Sequence, residues 1–417
     1  MTMKPSDELY REALRLIPWG TQTNAKRHYP EYEATMPKHI VRGKGCRIWD
    51  VDGKEYIDYR LALGPVTLGY CYDEVDDAVR SQMANGVLFS MASPIEVELA
   101  RLLVDTAPGI EMVRFMKTGE DANLSNVRIA RACTQRDMIL MSGYHGYPDW
   151  FATDDAPNNG VPAFMKEYVK IIPWGNCEEA ERLVRRYADR LACVISTPYD
   201  WNEETSGTYI RCLRKLTKEN GILLVMDEVL TGFRLALGGA QEYFGVEADL
   251  VSYAKAVANG YPLSVYAGKR EYMERLYTFK MTTTYAGETL SIAAAIATLK
   301  IMRREKVHAH IWAMGRRLME GFNTIARDLG VEGHAAGLPP APFLKFVSAD
   351  PTYHDRLEFL WHRELFGEGL FMNPRWLISY SHQEADIDES IERARRALKR
   401  ALEAEVRERN SIKPYWW

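Results

Sequence analysis

The sequence contains no Cys-x-x-Cys pair, no histidines at metal-ligand spacing, no Gly-x-Gly-x-x-Gly and no long apolar run. Each absence removes a class of function. The six cysteines, Cys46, Cys71, Cys133, Cys177, Cys193 and Cys212, are dispersed, which predicts reduced thiols in an intracellular protein rather than a disulfide framework or a zinc site. Of the nine histidines, His308 and His310 stand two apart, on different faces of a helix, and read as surface residues, so no metal is expected. The longest apolar run, Gly221–Met226, is far shorter than the ~20 residues needed to span a bilayer. The opening residues Met1–Leu16 carry charges of both signs and lack the apolar centre of a secretory leader, so a cytoplasmic location is expected. A net charge of −4 and a pI of about 6.2 give no basic footprint for nucleic acid or an anionic membrane. Without a Gly-x-Gly-x-x-Gly after a strand, a nicotinamide-binding Rossmann enzyme is disfavoured.

What is present is a chain of 417 residues, 47% hydrophobic and 26% charged, long enough for two domains. Its middle alternates short apolar runs with helical patterns. Strands are predicted at Met112–Lys117, Met138–Ser142, Tyr168–Ile172, Cys193–Thr197, Ile222–Asp227, Asp249–Tyr253 and Ser264–Gly268. Helices between them include Asp121–Ala132, Glu178–Leu191 and Tyr209–Asn220. Such alternation implies crossover connections and a mostly parallel, buried sheet of seven strands. The ends differ. A hairpin-like stretch runs from Val41 to Gly53 with an Asp52-Gly53 turn, and amphipathic helices follow at Met314–Arg327 and Asp386–Val406. The reading is an α/β chain with a large domain, residues 57–310, and a small α+β domain assembled from residues 1–56 and 311–417.

In open α/β sheets, ligands sit beyond the carboxyl ends of the strands. Four strand ends carry chemistry. Met116-Lys-Thr-Gly-Glu-Asp-Ala122 leads into a helix, with Thr118 and Asp121 at capping-box spacing and Gly119 permitting a tight turn. A helix start of this kind suits a phosphate, although Glu120 would repel one by about 3 kcal/mol at ~5 Å and an effective dielectric of ~20. Tyr144 and His145, in Gly143-Tyr-His-Gly-Tyr147, could offer an aromatic face to a flat ring. Asp227 ends the apolar run Leu223–Met226 and needs a donating partner, either a pyridinium N–H or a residue such as Arg234. Lys255 follows another apolar strand. It either snorkels to the surface or is desolvated, in which case its lowered pKa makes it a nucleophile towards carbonyls.

In order and placement these segments resemble the class III, fold-type I aminotransferases that use pyridoxal 5′-phosphate (PLP), and within them the glutamate-1-semialdehyde aminomutase-like group. The resemblance runs from about Tyr10 to Leu402. It is carried by Ile17-Pro-Trp-Gly20, Trp49-Asp-Val-Asp-Gly-Lys-Glu-Tyr-Ile-Asp58, Val113-Arg-Phe-Met-Lys-Thr-Gly-Glu-Asp-Ala122, Tyr144-His-Gly146, Asp227-Glu-Val-Leu-Thr-Gly-Phe-Arg234 and Thr284-Tyr-Ala-Gly-Glu-Thr-Leu290. The resemblance implies Lys255 as the Schiff-base lysine and proton shuttle, and Asp227 as the partner of the pyridine nitrogen. Val229 and Tyr144 would flank the ring, with His145 beside them. Thr118, Gly119 and the backbone of Glu120 would hold the phosphate. Thr284 would reach the cofactor of a neighbouring subunit, which implies a homodimer with shared sites.

The chain departs from the group in places. Glu120 replaces a hydroxyl of the usual phosphate loop, and Thr197-Pro198 replaces a Glu-Pro. Ala62-Leu-Gly-Pro65 and Gly287-Glu-Thr289 stand where true aminomutases have Ser-Trp-Gly-Pro and Gly-Asn-Pro. The expectation is therefore an aminotransferase that moves the amino group of a donor, L-glutamate, to a small aldehyde or ketone in surface-polysaccharide or natural-product biosynthesis. Arg375, Lys26 and Arg27 are the candidate partners of the donor carboxylate. Two alternatives stand beside it: a PLP-dependent aminomutase, and a non-catalytic binding protein of the same fold.

Overall fold

The computed structural model describes residues 5–153, 159–199, 203–348, 350–372 and 374–408. The chain forms two compact units, one of Met1–Leu63, Leu68–Tyr72 and Ala309–Trp417, the other of Gly64–Thr67 and Asp73–His308.

The smaller unit opens with a meander, β1 (Ile40–Lys44), β2 (Arg47–Asp50) and β3 (Glu55–Asp58), in which β2 pairs antiparallel with both neighbours. The Asp52-Gly53 turn joins β2 to β3, and Gly53 supplies the positive φ of +86° that the turn requires. The expected hairpin is thus three strands, not two. Behind them the rings of Phe322, Trp361 and Trp376 form a closed cluster with centroids 5.0 to 6.1 Å apart. Two long amphipathic helices run Val307–Asp328 and Glu384–Glu408; the first begins seven residues before the expected Met314, and the second extends the expected Asp386–Val406 by two residues at each end.

The larger unit is built on seven strands: β4 (Met112–Met116), β5 (Met138–Ser142), β6 (Val169–Ile171), β7 (Leu191–Ser196), β8 (Leu223–Glu228), β9 (Leu250–Tyr253) and β10 (Ser264–Gly268). Their order across the sheet is β4-β10-β9-β8-β7-β5-β6, and β10 alone runs against its neighbours. Every residue of β5, β7, β8, β9 and β10 is buried, which explains the continuous apolar runs. The helix Gly119–Thr134 lays Ala122, Val127 and Ala130 on this sheet, in one cluster with Ile139, Cys193, Ile195 and Val225.

Three local expectations need correction. The predicted helix Glu178–Leu191 ends at Tyr187, because Leu191 is buried and already pairs with Met138 in the sheet. Cys177 and Cys212 are joined as a disulfide, with Cα atoms 6.3 Å apart. The two cysteines stand 35 residues apart on different helices, so spacing alone did not reveal the pair. His308 and His310 are half-buried and not surface groups, their Nε2 atoms lying 3.0 and 2.7 Å from the carbonyls of Phe233 and His382. Among the described residues no cluster could hold a metal ion, and no helix is long and apolar enough to cross a membrane.

Ile195 is fully buried at the centre of the sheet. Ile195→Ala should lower the unfolding free energy by about 2–5 kcal/mol, read as a shift in the urea midpoint followed by circular dichroism.

Candidate active site

Because β4, β5, β7, β8 and β9 point the same way, their carboxyl ends meet on one edge of the sheet, and β10, running backwards, begins there too. The loops at that edge line a cavity of about 470 Å³, within the range of small-molecule sites. A larger cavity, about 1100 Å³, opens at the opposite edge, beside Leu223 and Asp249 where β8 and β9 begin, away from these groups.

Asp227 is the penultimate residue of β8 and is 4% exposed. Burying a carboxylate is costly unless donors surround it. Here Oδ1 accepts from the backbone N–H of Val229 at 3.0 Å, and Oδ2 accepts from Asn123 Nδ2 at 2.8 Å and lies 2.7 Å from Nδ1 of the buried His145. Asn123 also donates to the carbonyl of His145 at 3.1 Å, so it pins both groups. Asn123 was absent from the sequence reading. Its only signal was position: it lies two residues after Asp121, in the helix that the capping box begins.

Lys255 follows β9 with a φ of +44°, a conformation that non-glycine residues adopt at a cost and that concentrates at functional sites. It lines the cavity with Asp227 and keeps a small accessible surface. Burial pushes its pKa below that of a free lysine, and Arg234 adds to this, while the negative charges of Asp227 and Glu120 oppose it. The neutral amine, the form that attacks a carbonyl or accepts a proton, is thereby more accessible than in a free lysine.

At the end of β4, Thr118 caps the helix Gly119–Thr134, and its backbone N–H donates back to Asp121 at 3.0 Å. The next N–H groups, of Gly119 and Glu120, belong to the helix's first turn and have no intrahelical acceptor, so they form an anion seat. Gly119 is required by close approach, since a Cβ there would stand 2.7 Å from both methyl groups of Val229. Gly146, with φ of +112°, similarly makes room for Glu120, whose Cβ would be 2.4 Å from a Cβ at that position. Tyr144 lines the cavity and is 80% exposed.

Thr284 is exposed and does not line its own chain's cavity. Lys117, which does, bridges to Glu288 at 2.9 Å, and Glu288 caps the helix Thr289–Arg304. The loop bearing Thr284 is thus tied to the anion seat. Lys26, Arg27 and Arg375 belong to the smaller unit and are not in this cavity's lining. Lys26 is exposed, the Arg27 guanidinium lies 5.1 and 4.8 Å from the ring centroids of Trp19 and Tyr29, and Arg375 lies 5.8 Å from that of Phe343.

A family model described as aminotransferase class-III matches residues 28–332. The glutamate-1-semialdehyde 2,1-aminomutase of Sulfurihydrogenibium azorense is 32% identical, over 96% of this chain and all of that one. The 3-aminobutyryl-CoA aminotransferase of Cloacimonas acidaminovorans is also 32% identical, over 94% of this chain and 96% of its own. Among solved structures, the FumI protein of Sphingopyxis sp. MTA144, in a PLP-bound form, superposes with a TM-score of 0.89 at 29% identity over 98% of each chain.

PLP suits the groups on this edge of the sheet. A pyridinium N–H matches the remaining acceptor capacity of Asp227, an aldehyde matches the Lys255 amine, a phosphate matches the helix start, and Val229 offers an apolar surface to a ring. The cofactor is pyridoxal 5′-phosphate.

Two outcomes follow. Because Glu120 raises the Lys255 pKa, Glu120→Gln should move the pH midpoint for capture of PLP by the apoprotein downward from its wild-type value, itself below that of free lysine. The midpoint is read from the rate at which a visible, borohydride-bleachable band forms. Gly119→Ala should force Val229 aside and weaken PLP retention at least about tenfold, checked by equilibrium dialysis.

Proposed function

Because the chain belongs to the class III aminotransferase family, we propose that it is a PLP-dependent aminotransferase that moves the amino group of L-glutamate to a small aldehyde or ketone. The observation that carries the reading is the shared cavity in which the pKa-lowered amine of Lys255 meets the buried carboxylate of Asp227. When bound, PLP supplies an electron sink for the bonds to the substrate's α-carbon. The rest falls to the chain's own groups. Lys255 Nζ, whose pKa burial lowers, would take the proton from the donor's α-carbon and, in the second half-reaction, give one to the acceptor's carbonyl carbon. Asp227 accepts the ring N–H and keeps it protonated, and Asn123 and His145 hold the carboxylate in place. Thr118 and the N–H groups of Gly119 and Glu120 would hold the phosphate, while Val229 and Tyr144 would flank the ring.

Release of a keto acid before the acceptor binds gives ping-pong kinetics. Arg375, Lys26 and Arg27 remain the candidates for the donor carboxylate. A homodimer is proposed as well, with Thr284 serving the neighbouring site. In support, the apolar side chains of Val87, Leu88, Phe89 and Met91 are exposed beside that loop, to which they connect through the 2.9 Å bond from Thr289 N–H to the Val87 carbonyl.

A second reading, a glutamate-1-semialdehyde-type aminomutase, is favoured by the aminomutase relative and opposed by Ala62, Leu63 and Gly287–Thr289, where the chain departs from that pattern. Nitrogen-15 glutamate separates the two. An aminotransferase passes the label to the product, whereas a mutase converts its substrate without a donor and leaves the product unlabelled. Lys255→Ala should lower kcat by at least about 10²-fold in either case, with the PLP band lost.

A further inference from the structure

The cavity of about 1100 Å³ at the sheet edge opposite the candidate active site has no role in that reading. It exceeds the roughly 300–1,000 Å³ of most small-ligand sites, so it suits an extended ligand. The chain carries a net charge of −4, yet this wall is positive: the cations Arg136, Arg211, Arg214, Lys218 and Lys269 outnumber the carboxylates Glu242, Glu247 and Asp249.

The carboxylates do not absorb this excess. Asp249, 4% exposed, accepts from the Leu224 N–H at 2.8 Å and lies 2.9 Å from Arg214 and 3.5 Å from Lys269. Glu242 accepts from the Gly238 N–H at 2.6 Å. Glu247 is exposed and forms no ion pair among the described residues. Three cations are left. Arg136 donates from Nη1 to uncharged main-chain oxygens, of Leu191 at 3.2 Å and Gly221 at 3.1 Å. Arg211 and Lys218 are exposed and form no ion pair among the described residues.

Helix geometry sets their spacing. The helix Glu203–Glu219 buries Ile210, Leu213 and Thr217, and Arg211, Arg214 and Lys218 follow at i, i+3 and i+7 as one stripe beside them. At 1.5 Å of rise per residue, the two ends of the stripe stand about 10 Å apart along the axis. A single phosphate is too small to meet both, whereas a chain of phosphates spans them. Arg136, just before β5, and Lys269, just after β10, bring charge from other parts of the wall.

We propose that this cavity binds an anion carrying a chain of two or three phosphates, held by Arg211 and Lys218 along the helix and by Arg136. Each guanidinium can grip two phosphate oxygens with parallel hydrogen bonds, and a cleft lined by one sign of charge concentrates its counter-ion. A nucleotide and an inorganic polyphosphate share this chemistry. The proposal does not depend on which amino-group transfer the enzyme performs.

The probes are tripolyphosphate, ATP and orthophosphate, titrated by calorimetry into the PLP-saturated holoenzyme without divalent metal. Salt is held at about 0.15 M, where attraction between exposed charges is screened beyond ~8 Å. Tripolyphosphate should bind once per chain, at least tenfold tighter than orthophosphate, with the visible PLP band unchanged. Tighter binding of ATP than of tripolyphosphate assigns a nucleotide, and no tighter binding assigns the phosphate chain alone; either upholds the proposal. The double variant Arg211→Gln with Lys218→Gln alters two exposed positions and should weaken tripolyphosphate at least tenfold with the circular-dichroism spectrum unchanged. Lys215→Gln removes a charge from the same helix outside the wall and should leave the affinity within about twofold. Equal affinity for tripolyphosphate and orthophosphate overturns the proposal, as does an equal loss in Lys215→Gln, which would reduce the binding to diffuse surface attraction. Loss of the PLP band during the titration also overturns it, by placing the phosphates in the anion seat of the cofactor cavity.

Discussion

The candidate active site depends on one buried charge. Asp227 is placed by the sheet where it is almost wholly buried, and the surrounding structure answers with three donors, from Val229, Asn123 and His145. Those donors come from three different segments: the turn after β8, the helix Gly119–Thr134 and the loop after β5. A carboxylate that recruits all three fixes the spacing between them, and with it the positions of the anion seat and of the Tyr144 face relative to β8. The penalty for an unmet buried carboxylate is several kcal/mol, large beside the net stability of a domain. The arrangement is therefore held by necessity as much as by attraction.

Much of this was legible in the sequence because the physics is local. A strand covered on both faces must be apolar throughout, so β5, β7 and β8 stand out as unbroken runs, and a polar residue closing such a run marks the chemical edge. The cap at Thr118 and Asp121 is likewise a matter of three-residue spacing. What escaped notice was long-range. Asn123 is one asparagine among many until the fold brings β8 beneath it. The Lys117–Glu288 bridge spans 171 residues, and the Cys177–Cys212 pair joins two helices whose sequences give no hint of contact. The end of the helix at Tyr187 was misjudged because its periodicity runs smoothly into Leu191, and only pairing with Met138 turns that residue into a strand. Tertiary pairing overrides local pattern at such joints.

The smaller unit answers a buried charge in a similar way. Asp58 accepts from the N–H groups of Arg60 and Leu61 and from the hydroxyl of Tyr70, and its charge also acts on the buried guanidinium of Arg60. In both units a carboxylate that closes a strand is met by donors from its own unit.

The reversal of β10 also shapes the lysine. A parallel successor to β9 would need a crossover of a dozen or more residues. The antiparallel one needs only the ten residues Ala254–Leu263, with Tyr253 and Val265 paired at the base. A chain closed over so short a span has little conformational freedom left to lose, because most of its closure entropy was spent when the strands paired. Lys255 sits in the second position of that closed link, its backbone held in a left-handed conformation. Its amine is thus confined to a small volume before any ligand arrives, and capture of an aldehyde there is closer to an intramolecular encounter at high effective concentration than to a search by a free side chain.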